Sequence, residues 1–222
     1  SSNLSAGTTA SSFADDTRLQ HGIESEQDCE SLQKDLETMY CWAEDVGMEF
    51  NAGKFELLRF WPTREDAPDI LYMAPDGSQI EEKESLRDLG VRVSTDLKFS
   101  EQINLAVQSG NCMAGWALRT FRGRGRHLTL TVLRTLIQPR LDYCSQLWSP
   151  RDQYSINLLE AIQKNFISQE KGPALKEMAY WKRLSELRVY SQEHRRERYQ
   201  ICFLWKLSQG LIKGFDVKWQ WS

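Results

Sequence analysis

The chain has 222 residues, of which 41% are hydrophobic and 27% are charged, and its net charge is −3. This composition is that of a globular protein, with enough apolar residues for one large domain or two small ones. No apolar run is long enough to cross a membrane, and the Ser- and Thr-rich N-terminus lacks the pattern of a signal peptide. We therefore expect an intracellular protein, nuclear or cytoplasmic, without a membrane partner. The five cysteines are scattered and include no Cys-x-x-Cys pair, which favours reduced thiols over a zinc site.

The small net charge hides a strong asymmetry along the chain. Residues 1–110 hold 9 Lys and Arg against 22 Asp and Glu, a net charge of −13, whereas residues 111–222 hold 19 against 9, a net charge of +10. A basic half can attract polyanions such as nucleic acid. Two oppositely charged halves can equally attract each other, so charge alone leaves both interpretations open.

The first predicted element is a tight β-hairpin. Residues 9–13 and 17–19 are small or β-compatible and are predicted strands. Asp15 and Asp16 lie at the turn between them, a position that favours Asp. The sequence therefore predicts two adjacent carboxylates at the tip of a hairpin.

A helix and further short strands follow in the first half. Residues 25–45 carry an apolar stripe at helical spacing, and Ser25 with Asp28 resembles a capping box. A strand is predicted over residues 54–60, a second hairpin around the turn at 75–78, and another short strand over 86–93.

The hydrophobic period becomes helical near residue 97. Helices are predicted over residues 99–121, 128–138, 155–169, 174–187 and 190–207. The second of these is predicted to continue beyond Pro139 as a kinked segment over residues 140–148. Trp42, Trp116, Trp148 and Trp205 fall in apolar patterns and are predicted to be buried. The fold class is therefore predicted to be α+β, with one domain over residues 1–97 and a mostly helical one over 98–222.

The adjacent carboxylates Asp15 and Asp16 are the residues most closely tied to a chemical activity. Phosphoryl transfer by two metal ions needs carboxylates that are held rigidly, and Mg²⁺ prefers carboxylate oxygens together with substrate phosphates and water. A tight turn between two strands restricts both side chains in the way such a site requires. An Asp-Asp pair taken alone is more often a solvated turn, so its context has to decide.

That context is a resemblance to a known family. Phe13-Ala14-Asp15-Asp16 resembles the aromatic-x-Asp-Asp box of reverse transcriptases, and the segments after it are similar, in order, to LINE-type non-LTR retrotransposon enzymes of the jockey and CR1 kind. Those segments are residues 32–36, 42–43, 48–54, 88–91, 97–99, 136–148 and 159–166, with the arginine pair at 195–196. Together they cover the chain from about residue 10 to about residue 210.

The resemblance implies a fold and a function. The fold would be a partial polymerase palm, with β-hairpins and a helix, followed by a helical thumb-like bundle. The function would be RNA-directed DNA polymerase, acting on an RNA template, a DNA primer and deoxynucleoside triphosphates (dNTPs) with Mg²⁺. Asp15 and Asp16 would hold the metal as catalytic residues. The family's third metal-binding Asp and its fingers lie upstream of the hairpin, so the chain is expected to be an incomplete fragment that is inactive alone.

Lys54 is the third residue to which the resemblance gives a role. It matches a lysine proposed to protonate the pyrophosphate leaving group. A surface lysine that opens a strand explains the same residue equally well.

A basic cluster between two predicted helices is the candidate nucleic-acid contact. It consists of Arg119, Arg122, Arg124, Arg126 and His127, with Gly123 and Gly125 between them. Arginine with glycine suits contact with phosphate oxygens, although a flexible basic turn is the simpler interpretation. The alternative function is therefore a non-catalytic nucleic-acid- or protein-binding module derived from a retrotransposon.

A second group of arginines lies near the end of the chain. Arg195, Arg196 and Arg198 are expected to pair locally along their own helix with Glu193 and Glu197.

Overall fold

The computed structural model describes residues 4–61, 70–123, 125–170 and 177–212. Helices account for 55% and small sheets for 12% of the structure, so the predicted α+β class is confirmed. The chain divides into two compact units, residues 1–86 and 87–222. The first unit has 6 Lys and Arg against 19 Asp and Glu, a net charge of −13, and the second has 22 against 12, a net charge of +10. The charge asymmetry therefore follows the division into units.

In the described part of the first unit there are one α-helix and two small pairs of strands. Its elements are β1 (Thr9–Phe13), β2 (Asp16–Gln20), α1 (Glu26–Asp45), a 3-10 turn (Ala52–Lys54), β3 (Glu56–Leu57) and β4 (Glu81–Glu82). β1 and β2 form the predicted antiparallel hairpin. β3 and β4 pair in parallel over two residues only, so the strand predicted over residues 54–60 is mostly wrong. Its start is a 3-10 turn because the Asn51 side chain accepts a hydrogen bond from Gly53 N.

Helix α1 begins where the capping residues predicted. Ser25 N donates to Asp28 Oδ2 at 2.8 Å, and Ser25 Oγ donates to the same oxygen at 2.9 Å. The apolar face of α1 is covered by the chain around residues 70–80. The buried residues of this core are Cys29, Tyr72, Ala74 and Ile80. The predicted second turn is present, because Ile80 N donates to Tyr72 O at 2.8 Å across it.

A further hairpin joins β5 (Ser85–Asp88) to β6 (Val91–Ser94). The single strand predicted over residues 86–93 is therefore wrong. Leu89 and Gly90 both have positive φ, +44° and +87°, and reverse the chain as the two-residue turn of a hairpin does. The boundary between the two units falls within β5, whereas the sequence placed a domain boundary after residue 97.

The second unit is a helical bundle. Its helices are α2 (Ser100–Thr120), α3 (Arg126–Val132), α4 (Gln138–Asp142), α5 (Ser145–Trp148), α6 (Gln153–Ser168), α7 (Tyr180–Leu187) and α8 (Gln192–Ser208). Residues 174–176, the start of one predicted helix, lie outside the described residues. Gly110 of α2 marks a close crossing, since a Cβ there would lie 2.9 Å from Leu141 Cδ2 and 3.1 Å from Ile162 Cδ1. No helix within the described ranges is long and apolar enough to cross a membrane.

The helical chain continues beyond Pro139 in α4 and α5, as predicted for the kinked segment over residues 140–148. A π-helical turn (Leu133–Ile137) joins α3 to α4, and Gln138 N donates to Leu133 O, five residues back. Proline has no N–H to donate and its ring crowds the preceding turn, so a regular α-helix would be strained there. Widening the turn just before Pro139 lets the helix continue.

Candidate functional site

Asp15 and Asp16 lie at the tip of the β1–β2 hairpin, as predicted. Phe13 pairs with Asp16, so Ala14 and Asp15 form a two-residue turn and Asp16 is the first residue of β2. Ala14 has φ +55°, a positive value of the kind that tight hairpin turns require. Two adjacent carboxylates are thus presented on the shortest common connection between antiparallel strands.

The hairpin projects from its unit as an exposed arm. All residues from Thr9 to Arg18 are exposed, and Phe13 keeps 69% of its surface accessible. The strands are small and polar, with Ser12 Oγ and Thr17 Oγ1 3.2 Å apart across the pair. Because neither face of the hairpin is apolar along its length, its pairing and its attachment at the base determine where it points.

The tip of the hairpin offers the right kind of ligand atom for a hard cation, but too few of them. Carboxylate oxygens are the ligands that Mg²⁺ prefers, and both side chains are accessible. Within the described residues there is no group of three or more His, Cys, Asp or Glu that could hold a metal ion. Asp15 and Asp16 by themselves could therefore supply only part of the ligands of a magnesium site.

Lys54 ends the 3-10 turn and is exposed. The strand opening predicted for it is wrong. No hydrogen bond or ion pair joins Lys54 to Asp15 or Asp16 among the described residues. The structure therefore does not bring the three residues predicted as catalytic into direct contact.

The basic cluster is only partly free. Arg119 lies in the last turn of α2 and Arg122 in the loop after it, and both are exposed. Arg126 begins α3, where its Nη1 lies 3.3 Å from Glu186 Oε1 and its Nη2 donates to the Glu186 carbonyl. Arg124 lies outside the described residues. Arg126 is exposed as well, so among the described residues of the cluster Arg119 and Arg122 are the predicted phosphate contacts that are accessible and form no ion pair.

The arginines of α8 pair across the bundle, so the expected local ion pairs are wrong for two of them. Arg195 binds Asp142 of α4 and donates to Tyr199 Oη at 2.9 Å. Arg196 is 2% exposed, and its Nη2 donates to Leu141 O at 3.2 Å. Burial lowers the pKa of Arg196 to about 10, although Asp142 and Glu160 act in the opposite direction. Helical spacing placed these residues correctly, but it could not show which face of α8 packs on α4.

A buried polar cluster at the base of the hairpin was not expected from the sequence. Thr8, His21 and Asp35 lie together there, and the Asp35 side chain is almost completely buried in α1. One signal was available, because Thr8 and His21 are the next pair after Thr9 and Gln20 in the hairpin register. The placement of Asp35 depends on how α1 packs, which the register does not show.

Comparison with known proteins adds no relative. No protein-family model matches the chain, and neither a curated protein nor a solved structure matches it. The resemblance to retrotransposon enzymes therefore depends on the residues of this sequence alone.

Proposed function

We propose that the chain carries the carboxylate hairpin of an RNA-directed DNA polymerase of the LINE-type non-LTR retrotransposon kind, with a thumb-like helical part after it. One observation supports this most: Asp15 and Asp16 lie at the tip of an exposed hairpin with a two-residue turn, within the aromatic-x-Asp-Asp sequence. A turn this short gives the two carboxylates little freedom relative to each other. The substrates are an RNA template, a DNA primer and dNTPs.

Asp15 and Asp16 would hold Mg²⁺ in this proposal. The chemistry that Mg²⁺ would supply at these carboxylates is activation of the primer hydroxyl and stabilisation of the charge on the leaving pyrophosphate. The part played by the chain is to present both carboxylates at one exposed point, where a triphosphate can approach. Lys54 is the proposed donor of a proton to the pyrophosphate, and its exposure leaves it free to meet a bound substrate.

Paramagnetic line broadening tests the metal site without requiring catalysis. Mn²⁺, added with a dNTP, should broaden the amide signals of residues 13–17 first, and replacing both Asp15 and Asp16 by Asn should abolish this. Glu44 and Asp45 form a matched control, because they are also adjacent, acidic and exposed in the same unit. Equal broadening at both pairs, or broadening that survives the Asn variants, would overturn the proposal.

The alternative is a non-catalytic nucleic-acid-binding module. It is supported by the +10 charge of residues 87–222 and by the exposure of Arg119 and Arg122. Such a module would bind single-stranded RNA without needing a divalent ion. Binding that persists in EDTA, together with the absence of Mn²⁺ broadening at the hairpin, would favour this alternative over the polymerase.

A further inference from the structure

The hairpin arm (residues 9–20) is attached to α1 at its base. Thr9 pairs with Gln20 in the last rung of the ladder, and the next two residues outward, Thr8 and His21, face each other. Thr8 Oγ1 and His21 Nδ1 lie 2.6 Å apart. The arm itself buries no apolar side chain. An isolated two-stranded hairpin is at best marginally stable in water, so contacts at this base matter for the whole arm.

The carboxylate of Asp35 in α1 accepts hydrogen bonds from residues at the base of the arm. Thr8 Oγ1 donates to Asp35 Oδ2, while Ser5 N and Ser5 Oγ donate to Asp35 Oδ1 at 2.9 Å and 3.0 Å. Asp35 is 2% exposed, so these donors replace the water that its carboxylate has lost. One helix carboxylate therefore holds the chain segment that enters the arm.

The directions of these bonds determine which ring nitrogen of His21 donates. The only Thr8 hydroxyl proton goes to Asp35, so Thr8 Oγ1 accepts from His21, and Nδ1 carries the hydrogen. The other ring nitrogen, Nε2, lies 3.9 Å from Asp28 Oδ1 of the same helix.

His21 has two carboxylates for neighbours and little access to water. Its side chain is 3% exposed, and its Cε1 packs beside Gly7. Among the described residues, the carboxylates beside it are those of Asp28 and Asp35, both on α1. The imidazole ring is thus buried where the base of the arm meets this helix.

We propose that Thr8, His21 and Asp35 form a clamp that fixes the hairpin arm on α1 and so holds the Asp15 and Asp16 carboxylates in place. These are positioning residues, since they act on Asp15 and Asp16 through the arm. The inference rests on the proposed function only for the role of the two carboxylates that the arm carries.

Hydrogen exchange of the full chain tests the clamp directly. Removing one of its hydrogen-bonding groups should lower the protection of residues 9–20 on the order of tenfold. Protection of α1 should change much less, which separates loosening of the arm from unfolding. Equal protection of the arm with and without these groups would overturn the proposal.

Four variants and a control separate the clamp from general destabilisation. Thr8→Val should lower protection of the arm on the order of tenfold, and Thr8→Ser should restore it. His21→Ala should lower protection as well, whereas His21→Asn keeps an N–H near the position of Nδ1 and should retain more of it. His194→Ala is the control, because His194 is exposed on α8 and faces Glu197. An unaffected arm in Thr8→Val or in His21→Ala would refute the clamp.

The same variants distinguish failure of the clamp from failure of the proposed function. If the exchange results hold but Mn²⁺ does not broaden residues 13–17, the clamp stands and the polymerase proposal fails. If broadening is seen but replacing Thr8 or His21 leaves the exchange protection of the arm unchanged, the metal site stands and the clamp fails.

Discussion

The guanidinium of Arg196 lies over the indole of Trp148, with 5.1 Å between Arg196 Cζ and the ring centroid. Trp148 is 1% exposed, and its Nε1 donates to Tyr143 O at 2.8 Å. Arg196 also donates to Leu141 O, so one buried pair joins α8 to both α4 and α5. A cation over an aromatic face is favourable, and more so where water is excluded.

We expect Arg196 to contribute mainly through packing. Arg196→Ala should lower the free energy of unfolding by about 3 kcal/mol, because it leaves a cavity beside Trp148. Arg196→Met refills most of that volume without a buried charge and should cost about 1 kcal/mol. Denaturant titration of both variants checks this. An equal loss in the two would show that the charge, rather than the volume, is what matters.

The crossing of α2 with α4 and α6 should not tolerate a methyl group. Gly110→Ala places Cβ 2.9 Å from Leu141 Cδ2, and we expect a loss of about 2 kcal/mol. Gly115→Ala in the same helix is the control, since its Cβ would meet only the end of the Arg119 side chain, at 3.3 Å. That change should be neutral or stabilise the helix by up to about 1 kcal/mol. Thermal melts of the two variants should shift in opposite directions or by clearly different amounts.

Acid should weaken the base of the hairpin arm through Asp35. Burial alone would raise the pKa of Asp35, but the hydrogen bonds from Thr8 and Ser5 outweigh it, and the pKa lies below its usual 3.8. A lowered pKa in the folded state means that Asp35 stabilises the protein above about pH 4 and that this contribution is lost as the pH falls further. Unfolding measured from pH 6 to pH 2 should therefore show a shallower loss in Asp35→Asn than in the native chain. Identical pH profiles would contradict this.

Binding of single-stranded RNA should depend on the accessible arginines more than on the paired one. Arg119→Ala combined with Arg122→Ala should weaken binding and flatten the salt dependence, by about 0.7 in the log–log slope for each phosphate that is no longer neutralised. Arg126→Ala should have a smaller effect, because Arg126 already pairs with Glu186. Glu186→Gln should release Arg126 and strengthen binding. Fluorescence anisotropy across a salt series measures all three, and equal effects at the three arginines would contradict this ranking.

We expect no template-dependent primer extension by the 222-residue chain alone. Asp15 and Asp16 supply two carboxylates, and no group of three metal-binding side chains occurs among the described residues. A primer-extension assay with Mg²⁺ and with Mn²⁺ checks this. Extension that Asp15→Ala abolishes would show that two carboxylates and the substrate are sufficient.

The sequence predicted correctly those elements that depend on residues close together in the chain. The turn preference of Asp15 and Asp16, the Ser25–Asp28 capping box and the apolar stripe of α1 depend on residues a few positions apart. Each was present in the structure with nearly the predicted bounds. The charge asymmetry was also visible in the sequence, because it needs only counting.

Tertiary packing decided which of the apolar side chains are buried, which the hydrophobic pattern of the sequence left open. Trp148 is buried as predicted, but Trp42, Trp116 and Trp205 are 51%, 43% and 58% exposed, so those predictions were wrong. An apolar period shows which face of a helix is hydrophobic, but only the neighbouring elements determine whether that face is covered. The same reason explains the Asp35 clamp. Thr8 and Asp35 are 27 residues apart, and no local rule brings their side chains together until α1 packs against the base of the hairpin.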